Sequence, residues 1–232
     1  MIKRTIVFLL LAAIVGFAFA QAPQQWTEGK DYFAIQNPQP TAQPDKVVVT
    51  EVFSFGCPAC NQFEPYIAKL RAELPSGAVL EYLPASFIPT EDWPVLQRAY
   101  FTAKALGVDT PASHDAMFKA VWGPNGALAT YDPATQRPKA MDAMPKIEDI
   151  AKFYANYGAK PDQFVATANS FAVNLQMKRA DQQILAWGVN STPTIIVDGK
   201  WRLDPRSANG AQQAVDLTLF LVNKELAAKK GK

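Results

Sequence analysis

The chain has 232 residues, of which 49% are hydrophobic, and its 23 basic and 21 acidic residues leave a formal net charge of +2. So small an imbalance gives no electrostatic reason to expect a nucleic-acid partner. The length suffices for one domain, or for one domain with an insertion. The chain contains only 2 cysteines, which indicates a use in chemistry rather than a disulfide framework.

The N-terminus has the pattern of a secretory signal peptide. Lys3 and Arg4 form a positively charged start, residues 6–19 are almost wholly apolar, and Ala18-Phe19-Ala20 fits an A-x-A cleavage site. The alternative is a retained membrane anchor, but the run is shorter than the roughly 20 residues that a spanning helix needs. We therefore expect residues 1–20 to be cleaved off after Ala20 and the protein to enter an oxidising compartment.

Residues 21–91 contain a leader and then alternating strand and helix patterns. The leader, residues 21–45, is rich in Gln and Pro. Residues 47–55 are apolar at odd and even positions, which predicts a central strand covered on both faces. A helix pattern follows over residues 61–74, and residues 79–83 predict a second strand.

From residue 92 to residue 187 the pattern becomes helical, with Pro and Gly between the helices. The predicted helices there span residues 93–106, 112–122, 146–157, 161–168 and 171–187. In the last part, residues 188–232, two short apolar runs flank Asp198-Gly199, which predicts a β-hairpin. A helix over residues 208–228 follows. The whole order predicts an α/β fold interrupted by a block of helices.

Both cysteines lie in one motif, Cys57-Pro58-Ala59-Cys60, between a predicted strand and a predicted helix. A structural disulfide would close so short a loop that it would restrict the unfolded chain little. A zinc site needs about four ligands, and besides the two thiols the chain offers one distant histidine, His114. The context therefore favours a dithiol that cycles between oxidised and reduced forms, without a metal or cofactor.

Cys57 falls at the predicted N-terminus of the helix, where the positive end of the helix dipole stabilises a thiolate. Pro58 suits the first helical turn, and the backbone N–H of Cys60 can face the sulfur of Cys57. We therefore expect Cys57 to be the exposed nucleophile with the lower pKa. Cys60, one turn further on, should be the buried resolving thiol.

Glu51 shares one face of the predicted strand with apolar residues such as Val49 and Phe53. Burial there would raise its pKa, so that it could pass a proton to or from Cys60, directly or through water. The alternative is an acid that reaches solvent or pairs with Lys46. The spacing alone leaves both interpretations open.

Thr192-Pro193 precedes the first strand of the predicted hairpin. An X-Pro bond at the start of a strand is compatible with the ordinary trans form, which such bonds strongly favour. A cis bond is not deducible from these residues themselves.

Two stretches resemble the DsbA family of periplasmic thiol:disulfide oxidoreductases, which have the thioredoxin fold. They are residues 51–64, EVFSFGCPACNQFE, and residues 188–199, GVNSTPTIIVDG. The signal peptide and the helical block between the two stretches also fit, so the resemblance covers nearly all of the mature chain. It implies a thioredoxin-like fold interrupted by an all-helical insertion domain, and a periplasmic location.

The resemblance also implies roles for single residues and for partners. Pro193 would be a cis-proline facing the dithiol, and the backbone of Thr192 would pair with an extended substrate peptide. Glu51 matches the buried acid of the family. Reduced or unfolded exported proteins would be the substrates, and a quinone-linked membrane oxidase of the DsbB kind would reoxidise the dithiol. We expect a monomer.

One position departs from the best-known family pattern. The dipeptide Pro58-Ala59, which tunes the redox potential, has Ala59 where that pattern has His. An imidazole next to the thiolate is therefore missing from the motif. We expect the dithiol to be less oxidising than in the His-containing members.

Three functions compete. A dithiol oxidase would donate the Cys57–Cys60 disulfide to exported proteins through a mixed disulfide on Cys57. A periplasmic reductase or isomerase would use the same dithiol in reverse, an alternative that Ala59 keeps open, although known isomerases of this fold carry an added dimerisation domain. The third is a peptide-binding chaperone whose dithiol is incidental. The motifs in combination favour the oxidase.

Overall fold

Strands and helices alternate in the first and last parts of the described chain, and the stretch between β3 and β4 is helical. The computed structural model describes residues 26–135 and 137–231, so the predicted signal peptide and its cleavage after Ala20 lie outside the described residues. The strands are β1 (Phe33–Ala34), β2 (Val47–Phe53), β3 (Ala78–Pro84), β4 (Thr194–Val197) and β5 (Trp201–Leu203). The α-helices of the described residues are α1 (Pro58–Glu73), α2 (Trp93–Ala105), α3 (Pro111–Trp122), α4 (Ile147–Ala155), α5 (Pro161–Ala168), α6 (Phe171–Ala186) and α7 (Ala211–Lys230).

The strands form one sheet in the order β1-β5-β4-β2-β3. Strand β2 lies inside the sheet, parallel to β3 and antiparallel to β4. All 7 of its residues are buried, which confirms the prediction of a strand covered on both faces. Val47 and Val49 pack with Ile67 of α1 and Val215 of α7. Each such side chain contributes about 1.5–3 kcal/mol through its burial.

The predicted hairpin is confirmed between β4 and β5. Asp198 and Gly199 have φ angles of 52° and 64°, the left-handed values that favour a tight two-residue turn between strands. The amide of Lys200 donates to the Val197 carbonyl oxygen at 3.0 Å and closes the turn. The hairpin therefore extends the sheet beyond β4 with the short strand β5.

Five helices, α2 to α6, lie between β3 and β4 in the chain. Their core contains large side chains that are at most 2% exposed, namely Tyr100, Phe118, Tyr154 and Phe164. The same cluster contains Phe53, Phe55 and Cys57, so the helical block packs on the end of β2. The structure confirms an α/β fold interrupted by helices. In the part of the chain that the structure describes, no helix is long and apolar enough to cross a membrane.

Part of the predicted leader belongs to the sheet. Phe33 and Ala34 form β1, which pairs antiparallel with β5. Tyr32 is 5% exposed, and its ring meets that of Trp201 edge-on at 5.4 Å between centroids. A strand of 2 residues is too short to show an alternating pattern, so the sequence did not predict it.

The last helix begins three residues later than predicted, at Ala211 instead of residue 208. Asn209 and Gly210 have φ angles of 64° and 144°. Such angles lie outside the range of a right-handed helix, so the chain must complete this turn before α7 can start.

Gly56, in the turn before the dithiol, packs against the start of α2. A Cβ atom there would lie 2.8 Å from Cδ1 and Nε1 of Trp93 and 3.1 Å from Cδ1 of Leu96. Gly56→Ala should therefore lower the free energy of unfolding by about 1–3 kcal/mol through overpacking, measured by urea denaturation. Gly77→Ala is the matched control and should cost less, because its Cβ would meet only the flexible Leu226 side chain. Equal losses would contradict the close packing at Gly56.

Candidate active site

The turn between β2 and α1 presents Cys57 at the N-terminus of the helix. The amide of Cys57 donates to the Ser54 carbonyl oxygen at 3.0 Å, and the Gly56 amide donates to Ser54 Oγ at 3.1 Å. Cys57 is the N-cap of α1, with Pro58 next in the first turn, and its Sγ accepts a hydrogen bond from the Cys60 amide at 3.3 Å. This confirms the predicted position of the sulfur at the positive end of the helix dipole.

Several hydrogen bonds stabilise a thiolate at Cys57. The thiol of Cys60 contributes most, and the Thr192 hydroxyl and the backbone amides of Cys60 and Ala59 contribute further. Together they outweigh the opposing effect of burial and lower the pKa of Cys57 to about 6. In the reduced protein at neutral pH, Cys57 is therefore mostly a thiolate.

The prediction that Cys57 is exposed is wrong. Cys57 is 4% exposed and Cys60 is 0% exposed, because the helical block and the Thr192–Pro193 loop lie against the sulfur of Cys57. Pro58 and Ala59, between them, are exposed. Burial first, and then the hydrogen bond and charge of Cys57, raise the pKa of Cys60 well above its ordinary value. The expected order of the two pKa values is therefore confirmed.

The loop before β4 lies directly beside the dithiol. Thr194 pairs with Val52 near the end of β2, so the start of β4 reaches the edge of the sheet from which α1 begins. The Thr192–Pro193 peptide bond is cis, as the resemblance implied, and the Thr192 carbonyl oxygen lies 3.6 Å from Cys57 Sγ. A cavity of about 250 Å³ opens between this loop and α1, with Phe63 in its wall. A space that a ligand can enter therefore opens beside Ala59 of the motif and the Thr192–Pro193 loop.

Glu51 is completely buried, as its strand face predicted. The residue is 0% exposed, and neither carboxylate oxygen has a hydrogen-bond partner among the described residues. Burial raises the pKa of Glu51 well above its ordinary value, and the charges of Glu64 and Cys57 raise it further, against the effect of Arg71. The alternative of a solvated acid paired with Lys46 is wrong. The carboxyl group of Glu51 therefore keeps its proton to a higher pH than an exposed carboxyl group does.

Sequence reasoning missed a second acid in this region, Glu64. Its side chain is 13% exposed. Burial and then the charge of Asp115 raise its pKa to about 7, against the opposing charge of Arg71. Arg71 itself donates a hydrogen bond to the Tyr82 hydroxyl. Helical spacing could have revealed Glu64, because it follows Cys57 by two turns and so lies on the same side of α1.

The histidine that is distant in sequence also lies in this region. His114 is 1% exposed, and its ring centroid is 5.0 Å from those of Phe53 and Phe55. Its Nε2 lies 3.8 Å from Glu64 Oε1, and its Nδ1 lies 3.9 Å from Asp109 Oδ1. No spacing signal predicts the contact with Glu64, since it arises from the packing of α3 on α1, whereas Asp109 lies just before α3 in the same stretch of chain. Residues 26–135 and 137–231 hold no group of three or more His, Cys, Asp or Glu side chains placed to bind a metal ion.

Comparison with known proteins gives relatives along nearly the whole chain. Residues 42–217 match a family model described as thioredoxin. The thiol:disulfide interchange protein DsbA of Pseudomonas aeruginosa is 33% identical over 228 residues, which cover 98% of this chain and 99% of that protein.

Solved structures agree with this similarity. The crystal structure of Pseudomonas aeruginosa DsbA has a TM-score of 0.72 at 33% identity and covers 88% of this chain and 97% of that chain. The oxidoreductase DsbA from Xylella fastidiosa has a TM-score of 0.73 at 30% identity and covers 86% of this chain and 97% of that chain. These matches confirm the thioredoxin fold with a helical insertion. Because the similarity extends through both parts of the sheet and the helices between them, the chain belongs to the DsbA family of thiol:disulfide interchange proteins.

Proposed function

We propose that this thiol:disulfide oxidoreductase oxidises exported proteins by donating the Cys57–Cys60 disulfide to them. The observation that carries the proposal is the position of Cys57 Sγ at the N-cap of α1, where hydrogen bonds lower the pKa of the thiol to about 6. A stabilised thiolate is a good leaving group, and it favours the reduced protein over the disulfide form. The disulfide therefore tends to pass to a substrate.

The first step forms a mixed disulfide. A substrate thiolate attacks Cys57 Sγ, a new S–S bond forms there, and the Cys57–Cys60 bond breaks. Cys60 leaves with the electron pair of that bond and takes up a proton, since burial raises its pKa. The buried carboxyl group of Glu51 is the proton donor, directly or through water.

The second step releases the product. A second thiolate of the substrate attacks the substrate sulfur of the mixed disulfide and expels Cys57 as a thiolate. The substrate thereby gains a disulfide and loses two electrons, which remain on the reduced Cys57 and Cys60. The low pKa of Cys57 favours this departure.

The Thr192–Pro193 loop supports a binding site for the substrate backbone. Its carbonyl oxygen at Thr192 lies 3.6 Å from Cys57 Sγ, so a peptide that pairs with Thr192 as an added strand would bring its cysteine to the sulfur. The cavity beside Phe63 would take a neighbouring side chain of the peptide. The exposed dipeptide Pro58-Ala59 would tune the potential of the dithiol from the same side.

The wider assignments rest on the family. The substrates would be reduced or unfolded exported proteins, and a quinone-linked membrane oxidase of the DsbB kind would reoxidise the dithiol. Residues 1–20 would direct the chain to the periplasm, where it would act as a monomer without a cofactor. The division of the mature chain into residues 21–91, 92–187 and 188–232 belongs to the same proposal.

A reductase or isomerase is the second candidate function, and Ala59 is the observation that favours it. Its methyl group is exposed beside the dithiol and offers the thiolate neither a charge nor a hydrogen bond. With weaker stabilisation of the thiolate, the dithiol would donate electrons instead of accepting them. A chaperone with an incidental dithiol would keep full activity on disulfide-requiring clients in a Cys57→Ala variant, whereas either redox function would lose it.

Equilibration with glutathione buffers tests the direction of the reaction. We expect the equilibrium with glutathione to favour the reduced form of this protein at least about tenfold more than it favours that of thioredoxin. This ratio corresponds to a reduction potential that is higher by about 30 mV. Ala59→His adds an imidazole beside Cys57 and should shift the equilibrium further towards the reduced form. Ala172→His, at an exposed position of α6, is the matched control and should not shift it. A wild-type value near that of thioredoxin would contradict the oxidase and support the reductase.

The rate of alkylation of the reduced protein by iodoacetamide should follow the ionisation of Cys57. The rate should be half-maximal near pH 6, the pKa of Cys57, and should fall about tenfold per pH unit below it as the thiolate becomes protonated. Cys60→Ala should move the midpoint to higher pH, because the Cys60 thiol contributes most to the lowered pKa. A wild-type midpoint at the ordinary thiol value of about 8.5 would rule out a stabilised thiolate.

Glu51→Gln should slow the formation of the mixed disulfide about a hundredfold, because the amide cannot protonate the departing Cys60. Stopped-flow mixing of the oxidised protein with a reduced peptide measures this rate. The glutathione equilibrium should change much less, since burial favours the neutral form of Glu51 and the amide is neutral as well. Glu81→Gln on β3, whose side chain accepts a hydrogen bond from Gln43, is the control and should retain the wild-type rate. Equal rates for Glu51→Gln and wild type would exclude Glu51 as the proton donor.

A further inference from the structure

The reaction steps leave His114 without a role, although it is the single histidine of the chain and is 1% exposed. Its ring stacks on that of Tyr82 at 4.2 Å between centroids. Phe53 and Phe55 flank it at 5.0 Å each. These rings account for the packing of the imidazole but not for its nitrogen atoms. A phenylalanine would fill such a site without burying a polar group, so the nitrogens require another explanation.

Both nitrogen atoms of His114 face carboxylates. Nε2 lies 3.8 Å from Glu64 Oε1, and Nδ1 lies 3.9 Å from Asp109 Oδ1. Neither nitrogen has a hydrogen-bond partner among the described residues, and the same is true of Glu64 Oε1. These distances are too long for hydrogen bonds, and they suit the attraction of a protonated imidazole for carboxylates. Because the imidazole is buried, solvent and salt would screen such a charge only weakly.

Titratable or charged groups surround His114 from every element that packs against it. Helix α1 contributes Glu64 and, through Tyr82, Arg71, while β2 contributes Glu51 and β3 contributes Tyr82. The others are Tyr100 of α2, Asp109 before α3, and Asp115 next to His114 in α3. Carboxyl groups outnumber cations in this set, in which Arg71 is the only permanent cation. A positive charge on His114 would therefore reduce an excess of negative charge behind the dithiol.

The charge of Glu64 acts on the dithiol through Glu51. An ionised Glu64 raises the pKa of Glu51, and so does a thiolate at Cys57. Negative charges at these positions oppose one another, so an ionised Glu64 also disfavours the Cys57 thiolate. A cationic group that holds the Glu64 carboxylate and partly compensates its charge reduces this penalty.

We propose that His114 is a positioning residue for the dithiol, which holds the Glu64 carboxylate between α1 and β2, compensates its charge, and thereby stabilises the reduced form with a thiolate on Cys57. This inference rests on the proposed function, in which Cys57 is the redox sulfur. His114 thus acts from the buried side of α1, between that helix and β2, whereas an imidazole at position 59 would act from the exposed side of the helix terminus.

A double-mutant cycle of His114→Gln and Glu64→Gln in the whole protein tests the proposal, with the equilibrium constant against glutathione as the readout. His114→Gln should shift the equilibrium towards the disulfide by about threefold to tenfold, and should raise the midpoint of the thiolate absorbance of Cys57 accordingly. Glu64→Gln should shift it in the opposite direction. In the Glu64→Gln background, His114→Gln should change it by less than about twofold, because no carboxylate remains to be compensated.

Ser113→Ala is the matched structural control. Ser113 precedes His114 in α3, is 0% exposed, and its Oγ donates to the Val108 carbonyl oxygen at 2.7 Å. The variant should lower the free energy of unfolding but leave the glutathione equilibrium unchanged. A shift in Ser113→Ala as large as that in His114→Gln would reduce the role of His114 to packing and overturn the proposal.

Two further outcomes would overturn the proposal: no shift in His114→Gln, or an equal shift in the presence and absence of Glu64. If His114→Gln does not fold, His114→Phe decides in its place, because it keeps the ring packing: a shift towards the disulfide supports the proposal, and no shift overturns it. A failure of the oxidase function is recognised separately. A failed oxidase function would appear as a thioredoxin-like equilibrium constant in the wild type. The effect of His114→Gln is the difference between the constants of the variant and the wild type, so it can be measured in either case.

Discussion

The hydrogen bond from the Cys60 amide to Cys57 Sγ is the contact on which the rest of the site depends. It forms because the chain leaves the buried strand β2, turns within residues 54–56 and enters a helix whose first amides have no partner inside the helix. Pro58 suits this position, since it has no amide to leave unpaired. The register of β4 on β2 then brings Thr192 to the same sulfur. The position of the Cys57 sulfur therefore depends on four elements together, namely β2, the turn, the helix terminus and the cis-proline loop.

The burial of two acids near the dithiol makes the stability of the fold depend on pH. Burial raises the pKa of Glu51 and raises that of Glu64 to about 7. A carboxyl group whose pKa is raised by folding favours the folded state at low pH, and that contribution is lost as the pH rises through the raised pKa. In return, the fold keeps a protonated carboxyl group close to Cys60 at a pH where an exposed carboxylate would hold no proton.

Features set by a few neighbouring residues could be predicted from the sequence, and features set by distant contacts could not. The N-cap at Cys57 and the turn at Asp198-Gly199 follow from local backbone chemistry. The low exposure of Cys57 depends on helices that come much later in the chain. The neighbours of His114 likewise come from other elements. The cis form of Thr192–Pro193 is not encoded in those residues alone, and only the family resemblance indicated it.

The location of a charge relative to the dithiol decides how strongly it acts. A side chain at Ala59 is exposed, so water and salt would screen its charge before it reached the sulfur. In the buried region between α1 and β2, Glu51 and His114 are at most 1% exposed, and charges there interact through a less polar medium. A buried acid–base cluster can therefore adjust the thiolate of Cys57 without altering the exposed surface to which substrates would bind. This separation lets the potential of the dithiol and the shape of its binding surface change independently.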